Sequence, residues 1–234
     1  MTDPVCLITG VGKGTGEALA RRFAKGGYRV AMLARDRERL LGLEAEIEHA
    51  KAYICDVGDL EELLATIEAV KSQLGVPTVL IHNAVRASFA TFLEGDPTEL
   101  ERNFRVNTTS LLYLARAIVP DMLKAGQGAI IVTGNTAAFR GVPRYALFAP
   151  TKAAQRILAE SLARELGPQG IHVAYLNIDA VIDVPWTRER FHPDKPDEFF
   201  IKPVAIAEEA FHVAHQDPSA WSFNVEIRPF GEKW

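Results

Sequence analysis

Short apolar runs alternate along the chain with longer stretches in which apolar positions recur every three or four residues. The short runs are Val5–Thr9, Arg29–Ala34, Lys51–Ile54, Thr78–His82, Ala129–Thr133, His172–Ile178 and Phe223–Ile227, and they have the length and residue types of strands. The stretches Glu17–Lys25, Arg37–His49, Leu60–Leu74, Thr98–Lys124 and Ala153–Leu166 read as amphipathic helices. Strands apolar on both faces must be covered on both sides. The pattern therefore predicts an α/β fold, a doubly wound, Rossmann-like parallel sheet in three α/β/α layers. No fixed-period repeat, low-complexity tract or Gly/Ser linker interrupts the chain, so residues 1–234 are expected to form one domain. The longest stretch without a period is Asp183–Pro203, which carries Trp186, Phe191, Phe199 and Phe200 among four prolines. It is expected to be an irregular loop, either a lid over an apolar pocket or a packing and subunit contact.

Composition excludes several classes. Hydrophobic residues make up 48% of the 234 and charged residues 24%, as in ordinary folded proteins. The net charge of −4 gives no broad basic field, so neither nucleic acid nor an anionic membrane is an expected partner. Positive charge is local, in Arg35, Arg37 and Arg39. Cys6 and Cys55 each lie at or near the end of an apolar run, which suits packing thiols in a reducing compartment. The start Met1-Thr2-Asp3-Pro4 is polar, and no apolar run approaches the roughly 18 residues of a membrane helix, so a cytoplasmic location is expected. His212 and His215 have helical spacing, yet no cysteine nearby completes a ligand set, and no metal site is expected. The tail Trp221–Trp234, with Phe223 and Phe230, is expected in the core and in oligomer contacts.

The chemistry begins at Thr9-Gly10-Val11-Gly12-Lys13-Gly14-Thr15-Gly16, directly after the first strand and directly before a helical run. Glycines let the backbone approach a pyrophosphate, and the free N–H groups at the helix start attract its charge. The second strand ends in Ala34-Arg35 rather than in a carboxylate. A carboxylate there would bind the ribose 2′-OH of NAD(H), whereas a cation suits the 2′-phosphate of NADP(H), so NADP(H) is the expected cofactor. Asp36, one position later, partly offsets Arg35.

The Thr-Gly-x-x-x-Gly-x-Gly form of this turn resembles that of the short-chain dehydrogenase/reductase family, and further matches follow over almost the whole length. Asp56-Val57 looks like the family's adenine-contacting pair, and His82-Asn83-Ala84 resembles its Asn-Asn-Ala-Gly turn, with Val85 replacing the glycine. Asn107 matches the helix asparagine and Lys152 the active-site lysine. Lys13 stands where NADP-preferring relatives carry a cation. The resemblance implies an oxidoreductase acting on a small molecule, with Lys152 at the nicotinamide ribose, in a homodimer or homotetramer.

Counting back from Lys152, the family's tyrosine position holds Phe148 and its serine position Asn135. Hydride addition to a carbonyl builds charge on oxygen, which needs a donor, and a phenyl ring has none. Ordinary ketone reduction is therefore expected to be weak. Asn135 can still donate through its amide. Tyr145, seven residues before Lys152, has the spacing of the enoyl reductase branch and reads equally as a catalytic hydroxyl or a packing residue. Two functions remain open: an altered oxidoreductase of small carbonyl or enoyl compounds, and a dinucleotide-binding sensor or subunit partner without turnover.

Overall fold

The computed structural model of the chain describes residues 3–231. Trp234 and the side chain of Phe191, both assigned expectations above, lie outside what is described. Strands β1 (Val5–Thr9), β2 (Arg29–Ala34), β3 (Ala50–Ile54), β4 (Pro77–His82), β5 (Gly128–Asn135) and β6 (Ile171–Ile178) build the sheet. A later strand, Asn224–Ile227, completes a seven-stranded parallel sheet whose order runs β3-β2-β1-β4-β5-β6 and then this last strand. Helices α1 (Thr15–Lys25), α2 (Arg37–Glu46) and α3 (Leu60–Gln73) are the first three crossovers.

Side-chain alternation divides the core into two. Val5 and Leu7 of β1 face one side with Leu63 and Ile67 of α3, while Cys6 and Ile8 face the other with Leu19 and Phe23 of α1. Each fully buried aliphatic side chain contributes roughly 1.5–3 kcal/mol, so neither face can be left open. The doubly wound three-layer arrangement is as the apolar runs require. Cys6 and Cys55 are buried free thiols. Burial raises the Cys6 thiol well above its usual range and pushes Cys55 up to about 11, so both are inert packing groups.

Two expected elements differ. Thr98–Lys124 is not one helix: α4 (Thr98–Phe104) passes through a π-type turn at Arg105–Thr109 into α5 (Ser110–Ala125). The turn inserts a residue in a run whose apolar period hides it. Its side chains bond outward, Asn107 to Arg86 and Thr151, and Thr108 to the Thr151 carbonyl. Nor is Asp183–Pro203 irregular. It holds helix α7 (Pro185–Phe191), between short parallel strands β7 (Val181–Ile182) and β8 (Phe200–Ile201), after helix α6 (Ala149–Leu166) has returned the chain to β6. Pro185 opens α7 at a position where its missing N–H costs nothing, and Thr187 Oγ1 donates to the Ile182 carbonyl at 2.6 Å. Helix α8 (Pro203–Ala214) follows, and β9 (Asn224–Ile227) is the seventh strand. At the C-terminal end of α8, His215 donates from Nδ1 to the Phe211 carbonyl at 2.7 Å and bonds the Tyr28 hydroxyl at 2.9 Å through Nε2.

β1 lies between β2 and β4, so the chain winds away from it in both directions. A crevice opens at the carboxyl ends of these strands, where Thr9 and His82 stand in register.

Candidate active site

The Gly-rich turn meets the requirements of close packing on three sides. Gly10 has φ 71°, and a side chain there would come within 2.6 Å of the Ala84 Cα. A side chain at Gly16 would run into the Gly10 carbonyl, and one at Gly14 would lie 2.7 Å from Val184 Cγ1. Helix α1 begins at this turn without a side-chain cap. Glu17 N donates to the Gly12 carbonyl and Ala18 N to the Gly14 carbonyl, which leaves the N–H groups of Thr15 and Gly16 at the tip, and the buried Thr15 Oγ1 beside them has no hydrogen-bond partner. Uncapped donors with an orphaned hydroxyl at a positive helix end make an anion cradle, and the residues present fit a dinucleotide pyrophosphate. Lys13 is exposed at the tip of the turn.

Asn83 joins this turn to the rest of the site. Its Nδ2 donates to the Gly10 carbonyl at 2.9 Å, and its Oδ1 accepts from Thr133 Oγ1 at 3.1 Å. Thr9 Oγ1 accepts the backbone N–H groups of Asn83 and Ala84, each at 3.2 Å.

A cleft of about 860 Å³ leads away from the turn along the ends of β1, β2 and β3. Gly10, Gly12, Arg35, Asp56 and Val57 line it. Arg39, Arg86, Arg102 and Arg105 line it too, so cations outnumber carboxylates on its walls although the chain as a whole is negative. Asp36 does not offset Arg35 directly. It caps α2 by accepting from Arg39 N at 3.1 Å and pairs with the Arg39 guanidinium at 3.3 Å. Arg35 instead lies 3.8 Å from Asp56 Oδ2. Arg39 Nη1 hangs 3.8 Å from the point where a Gly12 side chain would begin. That placement was missed in the sequence, although its signal was present: an Asp cap three residues earlier fixes the turn of α2 that returns Arg39 to the strand end.

At the other end, Lys152 is 2% exposed and donates to the Thr133 carbonyl at 3.2 Å and to Gln155 Oε1. Burial pushes its ammonium down to about 7. Asn107 is fully buried, with Oδ1 accepting from Arg86 N at 2.9 Å and Nδ2 donating to Arg86 O at 2.9 Å and Thr151 Oγ1 at 2.8 Å. It therefore reaches the site through Arg86 and Thr151. Asn135 Oδ1 accepts from Ala137 N at 3.1 Å, which leaves its NH₂ group as the available donor.

Phe148 is 3% exposed and sits edge-on to Phe89 and Tyr145, with ring centroids 5.4 and 5.9 Å away. Tyr145 packs on Phe89 at 4.9 Å. Tyr145 borders a second, apolar depression of about 780 Å³ lined also by Phe92, Ala137, Phe139 and Ala149. No cluster of three or more His, Cys, Asp or Glu side chains that could hold a metal occurs among the described residues, and no helix among them is long and apolar enough to cross a membrane.

Fold and cradle together define a doubly wound α/β protein with a candidate anion site at its first crossover and a buried lysine at the end of the fifth strand. The sequence profile of the short chain dehydrogenases matches residues 4–192. D-erythrulose reductase of Gallus gallus is 32% identical over 177 residues, covering 75% of this chain and 70% of its own. A crystal structure of a short-chain dehydrogenase from Rhodopseudomonas palustris superposes with a TM-score of 0.83 at 31% identity, covering 97% of this chain and 99% of that one. A metagenomic short-chain oxidoreductase in complex with NADP gives 0.85 at 27% identity, with 98% of each chain covered. The chain belongs to the short chain dehydrogenase family.

Proposed function

We propose that this chain is an NADP(H)-dependent oxidoreductase of a small carbonyl or enoyl compound whose substrate oxygen is held without the usual tyrosine. One observation carries the reading: the uncapped α1 start with its orphaned Thr15 hydroxyl opens into a cleft flanked by Arg35 and Arg39. A pyrophosphate satisfies the first and a 2′-phosphate the second. The NADP complex of the metagenomic relative supports the choice of cofactor. The nicotinamide, when bound, supplies or takes the hydride.

The chain's own residues orient and exclude water. Lys152 holds the ribose from a position stripped of solvent, Asp56 and Val57 flank the adenine end, and Asn107 keeps the Arg86 backbone in place. Phe148 stands where the family resemblance assigns the proton-handling tyrosine, and Asn135 where it assigns the serine. The Asn135 amide or the Tyr145 hydroxyl then steers the substrate oxygen. This arrangement favours reactions whose charge ends on an oxygen that needs only a hydrogen bond. We further propose a cytoplasmic homodimer or homotetramer of single-domain subunits, in keeping with the two buried free thiols.

The buried Phe148 also favours a second reading, a dinucleotide-binding sensor or subunit partner without turnover. The two separate in one experiment. NADPH and NADH are titrated against the protein, and NADPH consumption is then followed with ketones, aldehydes and enoyl thioesters. Saturable binding with turnover supports the oxidoreductase; binding without oxidation by any compound supports the second reading; no binding of either coenzyme removes both. Phe148→Tyr with Asn135→Ser is expected to raise ketone reduction at least tenfold, in line with the roughly 10²–10⁴ a positioned proton donor contributes.

A further inference from the structure

Ser110, His82, Gln155 and Lys152 form one line of hydrogen bonds beneath the carboxyl ends of β4 and β5. The first three are fully buried. The direction of the line is fixed at its far end. Ser110 Oγ donates to the Val106 carbonyl at 2.6 Å, so the hydroxyl must accept from His82 Nε2 at 2.8 Å. The imidazole thus carries its proton on Nε2 and accepts at Nδ1 from Gln155 Nε2 at 3.0 Å. Gln155 then has only its oxygen to offer Lys152. With the Thr133 carbonyl taking a second ammonium proton, one donor remains for a ligand.

We propose that Gln155 is a positioning residue for Lys152: backed by His82 and Ser110, it holds the ammonium at the end of β5 with a single donor free for the cofactor ribose. The assignment of the ribose rests on the function proposed above; the clamp itself does not. An amide cannot pass a proton along without leaving its amide form, so this line orients and does not conduct. The groups facing Lys152 are His82 from β4, the Thr133 carbonyl from β5 and Gln155 from α6, and no carboxylate among the described residues acts on it. His82 is itself pushed down to about 3 by burial and by Lys152, so it stays neutral and keeps its orienting role throughout the physiological range. The charge on Lys152 therefore depends on the acceptors it is given.

The test follows the ¹³Cε and ¹⁵Nζ resonances of Lys152 with pH in the cofactor-free protein, alongside NADPH titrations. Gln155→Leu is expected to lower the Lys152 midpoint by about one unit or more, and Gln155→Glu to raise it. Ser110→Ala, which touches neither Lys152 nor Gln155, is expected to lower it by a smaller step, because His82 then keeps only the Val106 carbonyl to fix its tautomer. A purely structural role for Gln155 predicts lower stability in Gln155→Leu and Ser110→Ala with the midpoint unmoved, and that result overturns the proposal; Gln155→Glu, which adds an opposite charge, is the control that the resonances report the charge on Lys152. Should Gln155→Leu fail to fold, Ser110→Ala decides alone. If the midpoint shifts while no coenzyme binds the parent protein, the clamp stands and the cofactor reading falls.

Discussion

The side chain of Asn107 grips the backbone of Arg86 from both sides, accepting from its N–H and donating to its carbonyl, each at 2.9 Å. The segment after β4 is thereby fixed to the π-type turn, and with it the wall of the cleft formed by Val85, Arg86 and Ala87. Asn107→Ala leaves two part-buried backbone groups and the buried Thr151 hydroxyl short of a partner. The expected loss is about 3 kcal/mol of stability, from roughly 1 kcal/mol or more per orphaned group. Coenzyme affinity is expected to fall with it. Denaturant melts and coenzyme titrations check both; an unchanged affinity in the folded variant would mean that the wall holds without the clamp.

Gly10→Ala tests the cradle. The residue has φ 71°, and a methyl group would press within 2.6 Å of the Ala84 Cα, which is backbone and cannot rotate away. Coenzyme binding is expected to weaken at least tenfold and stability to fall by about 2 kcal/mol or more, the strain of a left-handed residue added to a clash. Gly42, within α2, is the control: nothing lies within 4 Å of an added methyl, so Gly42→Ala should stabilise by about 1 kcal/mol. Calorimetry on both variants separates a local effect from a general intolerance of alanine.

Why the sequence revealed one half of the site and hid the other follows from the contacts. Gly10, Gly16 and Arg35 act through backbone geometry or position next to a strand end, and short-range pattern reports such properties. The sheet was legible for the same reason, since Leu7 and Ile8 must each find a covering layer. Gln155, His82 and Ser110 come from α6, β4 and α5, and only the finished fold brings them together. The π-type turn was hidden because an extra residue leaves the apolar pattern of Thr98–Lys124 nearly intact. Helix α7 was hidden because the prolines around it read as breaks, although Pro185 is its first residue.

Arg35 and Arg39 should divide the preference between coenzymes. Arg39 Nη1 lies 3.8 Å from the Gly12 side-chain position, and Arg35 is held only loosely by Asp56 at 3.8 Å. Both can turn toward a phosphate at little cost. Arg35→Ala and Arg39→Ala are each expected to weaken NADPH binding about tenfold while leaving NADH within twofold, since a charge-assisted bond is worth roughly 1.5–3 kcal/mol. The difference should shrink as salt rises. Equal losses for the two coenzymes would place the arginines away from the 2′-phosphate.

His82 should set the acid limit of stability. Burial, reinforced by Lys152, pushes its pKa down to about 3 in the folded chain, against roughly 6.5 when unfolded. Between these values the unfolded chain takes up a proton that the folded chain refuses. Stability therefore falls as pH drops from about 6.5 toward 3, by about 1.4 kcal/mol per unit, and is fully restored above 6.5. His172, also lowered by burial, acts in the same direction, so the quantity to measure is the difference between the parent protein and His82→Asn. Lys152, pushed down to about 7, adds a rise in stability only at higher pH, where the unfolded chain still holds the proton. Urea midpoints at pH 6.5 and pH 5.0 stay clear of most carboxylate titration. Over that interval the parent is expected to lose about 1.5 kcal/mol more than the variant. Parallel losses would show that His82 takes up its proton in the folded state, and so that the line from Ser110 to Lys152 can reverse.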